Sequence, residues 1–184
     1  SGPVDLDAMI EHLFEKGMED GHVLDGVLAA NDTQANRLWQ IREYMVEGQQ
    51  HRGEHLRTDI SLPISSLSEF YDEASRAMIA RSPDTEIIAY GHIGDGNLHF
   101  NLLPPPDLDL AAKQALLHEL EGELFAIVER YQGSISAEHG IGRVKQAPFL
   151  DGLSDLEREL ITGLKTLFDP DDLMAAGRIL PRRA

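Results

Sequence analysis

Glu86-Ile87-Ile88-Ala89-Tyr90-Gly91-His92-Ile93-Gly94-Asp95-Gly96-Asn97-Leu98-His99-Phe100-Asn101-Leu102-Leu103 places two alternating runs on either side of a turn signal. Asp95-Gly96 is the dipeptide that a two-residue type I′ hairpin demands, because both central residues need positive φ. The pattern predicts a strand over 86–93 and a return strand over 97–103. With that turn His92 faces His99, with Cβ atoms about 5 Å apart on one face. On the other face the pairs Ile93/Leu98, Gly91/Phe100 and Ala89/Leu102 are apolar and belong against helices.

Outward from the hairpin the pattern is regular. Thr58 to Ile64 alternates as a strand, with Thr58, Ile60 and Leu62 on one face and Arg57, Asp59 and Ser61 on the other. Leu67, Phe70, Tyr71, Ala74, Ala77 and Met78 recur at helical spacing until Pro83-Asp84 breaks the run. After Pro104-Pro105-Pro106 a long helix is predicted from Ala111 to Tyr131, stopped by Gly133, and then a strand over Ser134–Glu138. The order β-α-β-β-α-β is the split βαβ unit. The fold class it implies is α+β: a ferredoxin-like antiparallel sheet with helices on one face.

The flanks read differently. Pro3 and Asp5 start a helix through Leu6, Met9, Ile10, Leu13 and Phe14, which Gly17 and Gly21 close. His22 to Ala30 is predicted as a strand turning at Asp25-Gly26. Asn31 and Asp32 offer an N-cap to a helix running to about Glu47, and 48–55 is polar and loop-like. Beyond the sheet unit, Ser154 and Glu157 make a capping box for a tail helix expected to bury Leu156, Leu160, Leu164, Leu167 and Phe168. The predicted division is a partial first ferredoxin-like lobe over 1–56, the complete lobe over 57–142, and a helical tail over 143–184. Ser1-Gly2 reads as what tag removal leaves, and then the start of this chain need not be the natural start.

Composition narrows the function. The chain of 184 residues has no cysteine, which removes disulfides, zinc-thiolate sites and cysteine nucleophiles. Asp+Glu outnumber Lys+Arg 32 to 16, so a general nucleic-acid binder or an anionic-membrane binder is not expected. No apolar run reaches the ~20 residues of a transmembrane helix, and a cytoplasmic location is expected. Arg outnumbers Lys 12 to 4, and the guanidinium fork suits an organic acid.

The strand ends carry the chemistry. In a β-α-β-β-α-β unit the starts of strands one and three and the ends of strands two and four share one edge. Arg57, His99, His92 and Glu138 occupy those places. Two imidazoles and a carboxylate with an open position suit Zn²⁺, Mn²⁺ or Fe²⁺. Glu138 and His99 lie two strands apart, about 10 Å, so twist or a bulge is needed to join them. His139 points to the wrong face unless the flexible Gly140-Ile141-Gly142 run bends it back. Arg42 shares a helical stripe with Ala35, Leu38, Trp39 and Val46, either to meet an anion or to snorkel to the rim. His12, His51, His55 and His118 read as solvated.

The runs Gly91–Asn101 and Ser136–Gly142, with Leu38-Trp39-Gln40-Ile41-Arg42-Glu43 and Asp59-Ile60-Ser61-Leu62-Pro63, resemble the C-terminal domain of FAD-linked oxidases. These include the flavin-dependent D-lactate and D-2-hydroxyglutarate dehydrogenases. The resemblance implies oxidation of a D-2-hydroxy acid to the 2-keto acid. It implies metal ligands at His92, His99 and Glu138, and a general base at His139. Substrate contacts are implied at Arg42, Arg57 and Asn101. Arg57 stands where hydroxyglutarate members often carry Lys, and Val46 where they often carry a hydroxyl. The cofactors implied are FAD, held mainly by an N-terminal domain outside this chain, and a divalent metal, Zn or Mn. The partners implied are that flavin domain, an electron acceptor and a second copy in a homodimer. This chain alone is expected to be inactive. The alternatives are a non-catalytic metal- or ligand-binding module, a metal-dependent hydrolase using Glu138 or His139, and a dimerisation lobe.

Overall fold

A computed structural model describes residues 5–182. The Ser1-Gly2 reading and the Pro3 start signal lie outside those residues. The chain divides after His51 into two compact units.

In the first unit, helix α1 spans Leu6–Glu19, and the Asp5 carboxylate caps it by accepting the Ala8 N–H at 3.1 Å. Gly17 is helical, and Gly21, at φ +74°, supplies the left-handed residue that ends the helix. Residues 22–30 form no strand, contrary to the prediction. A strand needs a ladder partner; no described segment pairs with this one, and Leu24 and Val27 are exposed. Helix α2 spans Asp32–His51, capped by Asn31 through the Gln34 N–H at 3.0 Å. It runs past the predicted end at Glu47, because polarity alone does not stop a helix. Gly53, at φ +93°, follows its end.

The second unit carries the sheet. Its elements are β1 (Ile60–Ser61), α3 (Leu67–Arg81), β2 (Glu86–Tyr90), β3 (Asn97–Leu103), α4 (Leu110–Arg130), α5 (Gln146–Asp151) and α6 (Asp155–Phe168). The antiparallel sheet has the order β1-β3-β2. Ile60, Leu62, Phe100 and Leu102 turn one face toward Phe70, Ala74 and Met78 of α3 and Leu120, Leu124 and Val128 of α4. Phe70 packs edge-on against Phe100 and Tyr131, at 6.0 and 5.7 Å between ring centroids. Each such apolar side chain contributes roughly 1.5–3 kcal/mol on burial. The fold is α+β, with both helices on one face of the sheet.

Two predictions differ from the structure here, and one helix is added to them. The predicted fourth strand is reduced to single bridges beside β1. Ser61 and Ser134 exchange backbone bonds at 2.9 and 2.8 Å, so the segment lies outside β1, where the split βαβ order puts it. The ladder stops after the Ala137 N–H, which still donates to the Asp59 backbone carbonyl at 3.0 Å, because the N–H groups of Glu138 and His139 turn to the Asp59 side chain; Ala137 faces solvent instead of the helices. The six-residue α5, with Pro148 in its first turn, was not predicted. Helix α6 has the predicted capping box, but Leu156, Leu160, Leu164, Leu167 and Phe168 are exposed rather than buried. The amphipathic pattern specifies the helix, while no described element covers that face.

Candidate functional site

The hairpin is wider than a two-residue turn. Strand β2 ends at Tyr90, a 3₁₀ turn covers Ile93–Asp95, and Gly96 takes φ +67°. A Cβ on Gly96 would lie 2.0 Å from the Leu62 carbonyl oxygen, so the loop packs onto the end of β1 only with glycine there. The register pairs Tyr90 with His99, Ala89 with Phe100 and Ile87 with Leu102. It is displaced by two residues from the predicted one. Side chains alternate with period two, so the shift replaces every partner and keeps every face. His99 therefore stays on the open side. His92 reaches that side from the loop, with its N–H 3.4 Å from Asn97 Oδ1.

His99 is the most fixed of these rings, with its side chain 12% exposed. Its Nδ1 lies 3.0 Å from the Thr58 carbonyl oxygen. A carbonyl only accepts, so Nδ1 carries a proton, and in the neutral ring Nε2 is the nitrogen with the lone pair. That lone pair is 3.8 Å from Glu138 Oε1, and His92 Nδ1 is 3.8 Å from Glu138 Oε2. These gaps are too long for hydrogen bonds and leave each imidazole nitrogen within reach of an ion bound to the Glu138 carboxylate. The set of two nitrogens and a carboxylate, with one imidazole N–H anchored on a backbone carbonyl, suits a divalent cation.

The backbone of Glu138 and His139 is bonded to Asp59. The Asp59 residue is 2% exposed. Its Oδ2 accepts the backbone N–H groups of Ala137, Glu138 and His139 at 3.2, 3.1 and 2.8 Å. Its Oδ1 accepts the Asn97 side-chain amide at 3.0 Å. The Lys145 ammonium stands 3.9 Å from Oδ2 and donates to the Ile135 carbonyl at 2.8 Å. Burial by itself raises the Asp59 pKa. The N–H groups of His139 and Glu138 and the charges of His139 and Lys145 outweigh it, and the carboxyl is held below its ordinary value. Burial pushes Lys145 down, against the pull of Asp59 and Glu121. One ligand atom each from Asp59, His99 and Glu138 lie within 4.8 Å of one another.

His139 returns to the open side, but the bend lies at 136–139 and not in the glycine run after it. Its Nε2 is 3.9 Å from Glu138 Oε1, its Nδ1 is 3.7 Å from Asp59 Oδ2, and its ring stacks on His99 at 5.7 Å. The structure thus brings His92, His99, Glu138 and His139 together. Arg57 is exposed and donates from Nε to His55 Nε2 at 2.8 Å, while His55 Nδ1 meets the Gly53 carbonyl at 2.7 Å. His55 is therefore engaged, contrary to the solvated reading. Asn101 is buried, and its Oδ1 accepts the Thr58 N–H at 3.0 Å. Arg42 is exposed on α2 in the first unit.

Sequence reasoning missed Asp59, Tyr90 and Lys145. Asp59 carried a usable signal, since aspartate is depleted in strands and this one sits between Thr58 and Ile60 in an alternating run. Lys145 carried none, because its role depends on where the 136–145 chain folds back.

Residues 3–179 match the family model described as FAD linked oxidases, C-terminal domain. The chain is 37% identical over 166 residues to D-2-hydroxyglutarate dehydrogenase of Stutzerimonas stutzeri, covering 90% of this chain and 36% of that protein. The Xanthomonas citri pv. viticola protein of the same name is 38% identical, with 90% and 35% covered. A putative mitochondrial D-lactate dehydrogenase of Schizosaccharomyces pombe is 32% identical, with 92% and 32% covered. The chain spans about a third of the length of these relatives. No helix among the described residues is long and apolar enough to cross a membrane. By the family match over nearly its whole length, the chain belongs to the C-terminal domain family of FAD linked oxidases.

Proposed function

We propose that this chain is the substrate- and metal-holding part of a flavoprotein that oxidises a D-2-hydroxy acid to the 2-keto acid. The observation that carries the reading is the Glu138 carboxylate set between the imidazoles of His92 and His99, one oxygen toward each at 3.8 Å. His92, His99 and Glu138 would hold a divalent cation, Zn²⁺ or Mn²⁺. When bound, such an ion supplies positive charge that acidifies a hydroxyl and offsets a carboxylate. FAD, held mainly by sequence outside this chain, supplies the hydride acceptor and the redox chemistry.

The chain's own residues bind substrate and move the proton. His139 takes the proton of the 2-hydroxyl at Nε2, the nitrogen that faces Glu138. Arg42 and Arg57 bind carboxylate oxygens through charge-assisted bonds, with the His55 contact fixing the Arg57 guanidinium. Asn101 acts beside the substrate by holding Thr58, whose carbonyl orients His99. The relatives' printed names point to D-2-hydroxyglutarate or D-lactate as the substrate type. A flavin domain of the same polypeptide, an electron acceptor and a second copy are the partners we propose. The compartment we propose is the cytoplasm, since the cysteine-free chain draws nothing from an oxidising milieu.

Turnover of the intact flavoprotein with an artificial acceptor tests the reading. D-lactate, D-malate and D-2-hydroxyglutarate are offered beside their L-enantiomers. Oxidation of at least one D-acid in preference to its enantiomer is expected. No oxidation of any of them, or oxidation by this chain without a flavin domain, contradicts it.

A further inference from the structure

The successive N–H groups of Glu138 and His139 both donate to one oxygen of Asp59, at 3.1 and 2.8 Å, and the preceding Ala137 N–H is shared between that oxygen at 3.2 Å and the Asp59 backbone carbonyl at 3.0 Å. An extended strand points successive N–H groups to opposite sides, so the strand predicted here and this convergence exclude each other. Buried backbone donors require partners, and an ionised acceptor makes the stronger bond. The carboxylate therefore selects a turn that wraps its concave side around the anion and turns the Glu138 and His139 side chains toward the histidines of the hairpin.

The reach of Asp59 extends to the rest of the cluster. Its other oxygen holds the Asn97 amide, and the Asn97 carbonyl oxygen faces the His92 N–H. The preceding residue, Thr58, offers the carbonyl that orients His99. Two adjacent residues just before β1 thus bond to both of the segments that carry His92, His99, Glu138 and His139. Both carboxylate oxygens of Asp59 are engaged by donors, and Lys145 already stands against its charge.

We propose that Asp59 is a positioning residue that folds the Glu138–His139 turn, and that it is not itself a ligand of the cation. Its structural half stands on the hydrogen bonds alone. Its effect on metal affinity rests on the function proposed above. Substitution of a residue that orients a ligand typically weakens metal binding about 10- to 100-fold.

The test compares the intact protein with its Asp59→Asn variant, both stripped of metal. The first readout is amide hydrogen exchange, which involves neither metal nor substrate. In the wild type, the amides of Glu138 and His139 are expected to exchange at least ~10-fold more slowly than those of the adjacent Gly140 and Ile141, although Glu138 and His139 are exposed. Equal rates overturn the proposal, and this arm does not depend on the variant folding. In Asp59→Asn the amides of Glu138 and His139 are expected to lose that protection while those of Ala137, bonded to the Asp59 backbone carbonyl, and of Phe100 and Leu102 keep theirs; unchanged protection at Glu138 and His139 overturns it. The second readout is titration with cobalt(II). A Kd raised about 10- to 100-fold with the absorption band of the bound ion unmoved supports positioning. A displaced band overturns the second half of the proposal by making Asp59 a ligand. A wild type that binds no cobalt overturns the metal reading, and the exchange arm still decides whether Asp59 holds the turn.

Discussion

Tyr90 stands directly across the β2–β3 ladder from His99, its ring centroid 5.2 Å from that of the imidazole. The tight-turn prediction gives that place to His92. Tyr90 and Thr58 between them hold His99: the ring of one lies against it, tilted by 48°, and the carbonyl of the other accepts a hydrogen bond from its Nδ1. Removing the aromatic ring is expected to loosen the imidazole. Aromatic contacts of this kind contribute about 0.5–1.5 kcal/mol, so Tyr90→Ala is expected to weaken metal binding by about 2- to 10-fold. Tyr90→Phe, which keeps the ring, is expected to leave it unchanged. Metal titration of the two variants checks this; equal losses would mean that the hydroxyl, not the ring, carries the effect.

The loop glycines separate by position. Gly96 has φ +67° and lies against the Leu62 carbonyl, whereas a Cβ on Gly94 would meet nothing within 4 Å. Gly96→Ala is expected to destabilise by at least ~1–2 kcal/mol from the left-handed backbone alone, and more from the clash. Gly94→Ala is expected to stay within about 0.5 kcal/mol of wild type. Urea unfolding of both variants measures the difference.

The tail carries an acid-sensitive contact. The Lys165 ammonium and the N–H groups of Leu173 and Met174 hold Asp169 at about 2, below its ordinary 3.8. A depressed carboxylate pKa stabilises the fold above the unfolded value, and that contribution is lost as pH falls through the folded value. Residues 169–174 are expected to stay ordered at pH 5 and to loosen between about pH 4 and pH 2. Asp169→Asn is expected to remove that transition. Chemical shifts of the Leu173 and Met174 amides across the titration report it.

How much of this was legible follows from what each signal specifies. Asp95-Gly96 marks a reversal correctly but does not count its residues, so the register missed by two. The faces survived because a shift of two preserves parity, and His99 was thereby placed on the open side. The helices α3 and α4 were legible because their stripes at Phe70, Ala74 and Met78 and at Leu117, Leu120 and Leu124 meet the sheet within the same unit. The segment 134–138 was misread because its alternation of serine with Ile135 and Ala137 looks like a strand. The competing partner, the Asp59 carboxylate, lies nearly eighty residues earlier. Helix α5 has only six residues, too few for an apolar period to show, and its first turn tolerates Pro148.

The central claim is that His92, His99 and Glu138 together hold one divalent cation. Calorimetric titration of the intact, chelator-treated protein with Zn²⁺ or Mn²⁺ addresses it most directly, run beside Glu138→Gln and His99→Ala. One ion per chain is expected in the wild type, with affinity lowered by about 100-fold or more in each variant, at or beyond the loss typical of an indirect partner. Wild-type binding that persists undiminished in both variants contradicts the claim.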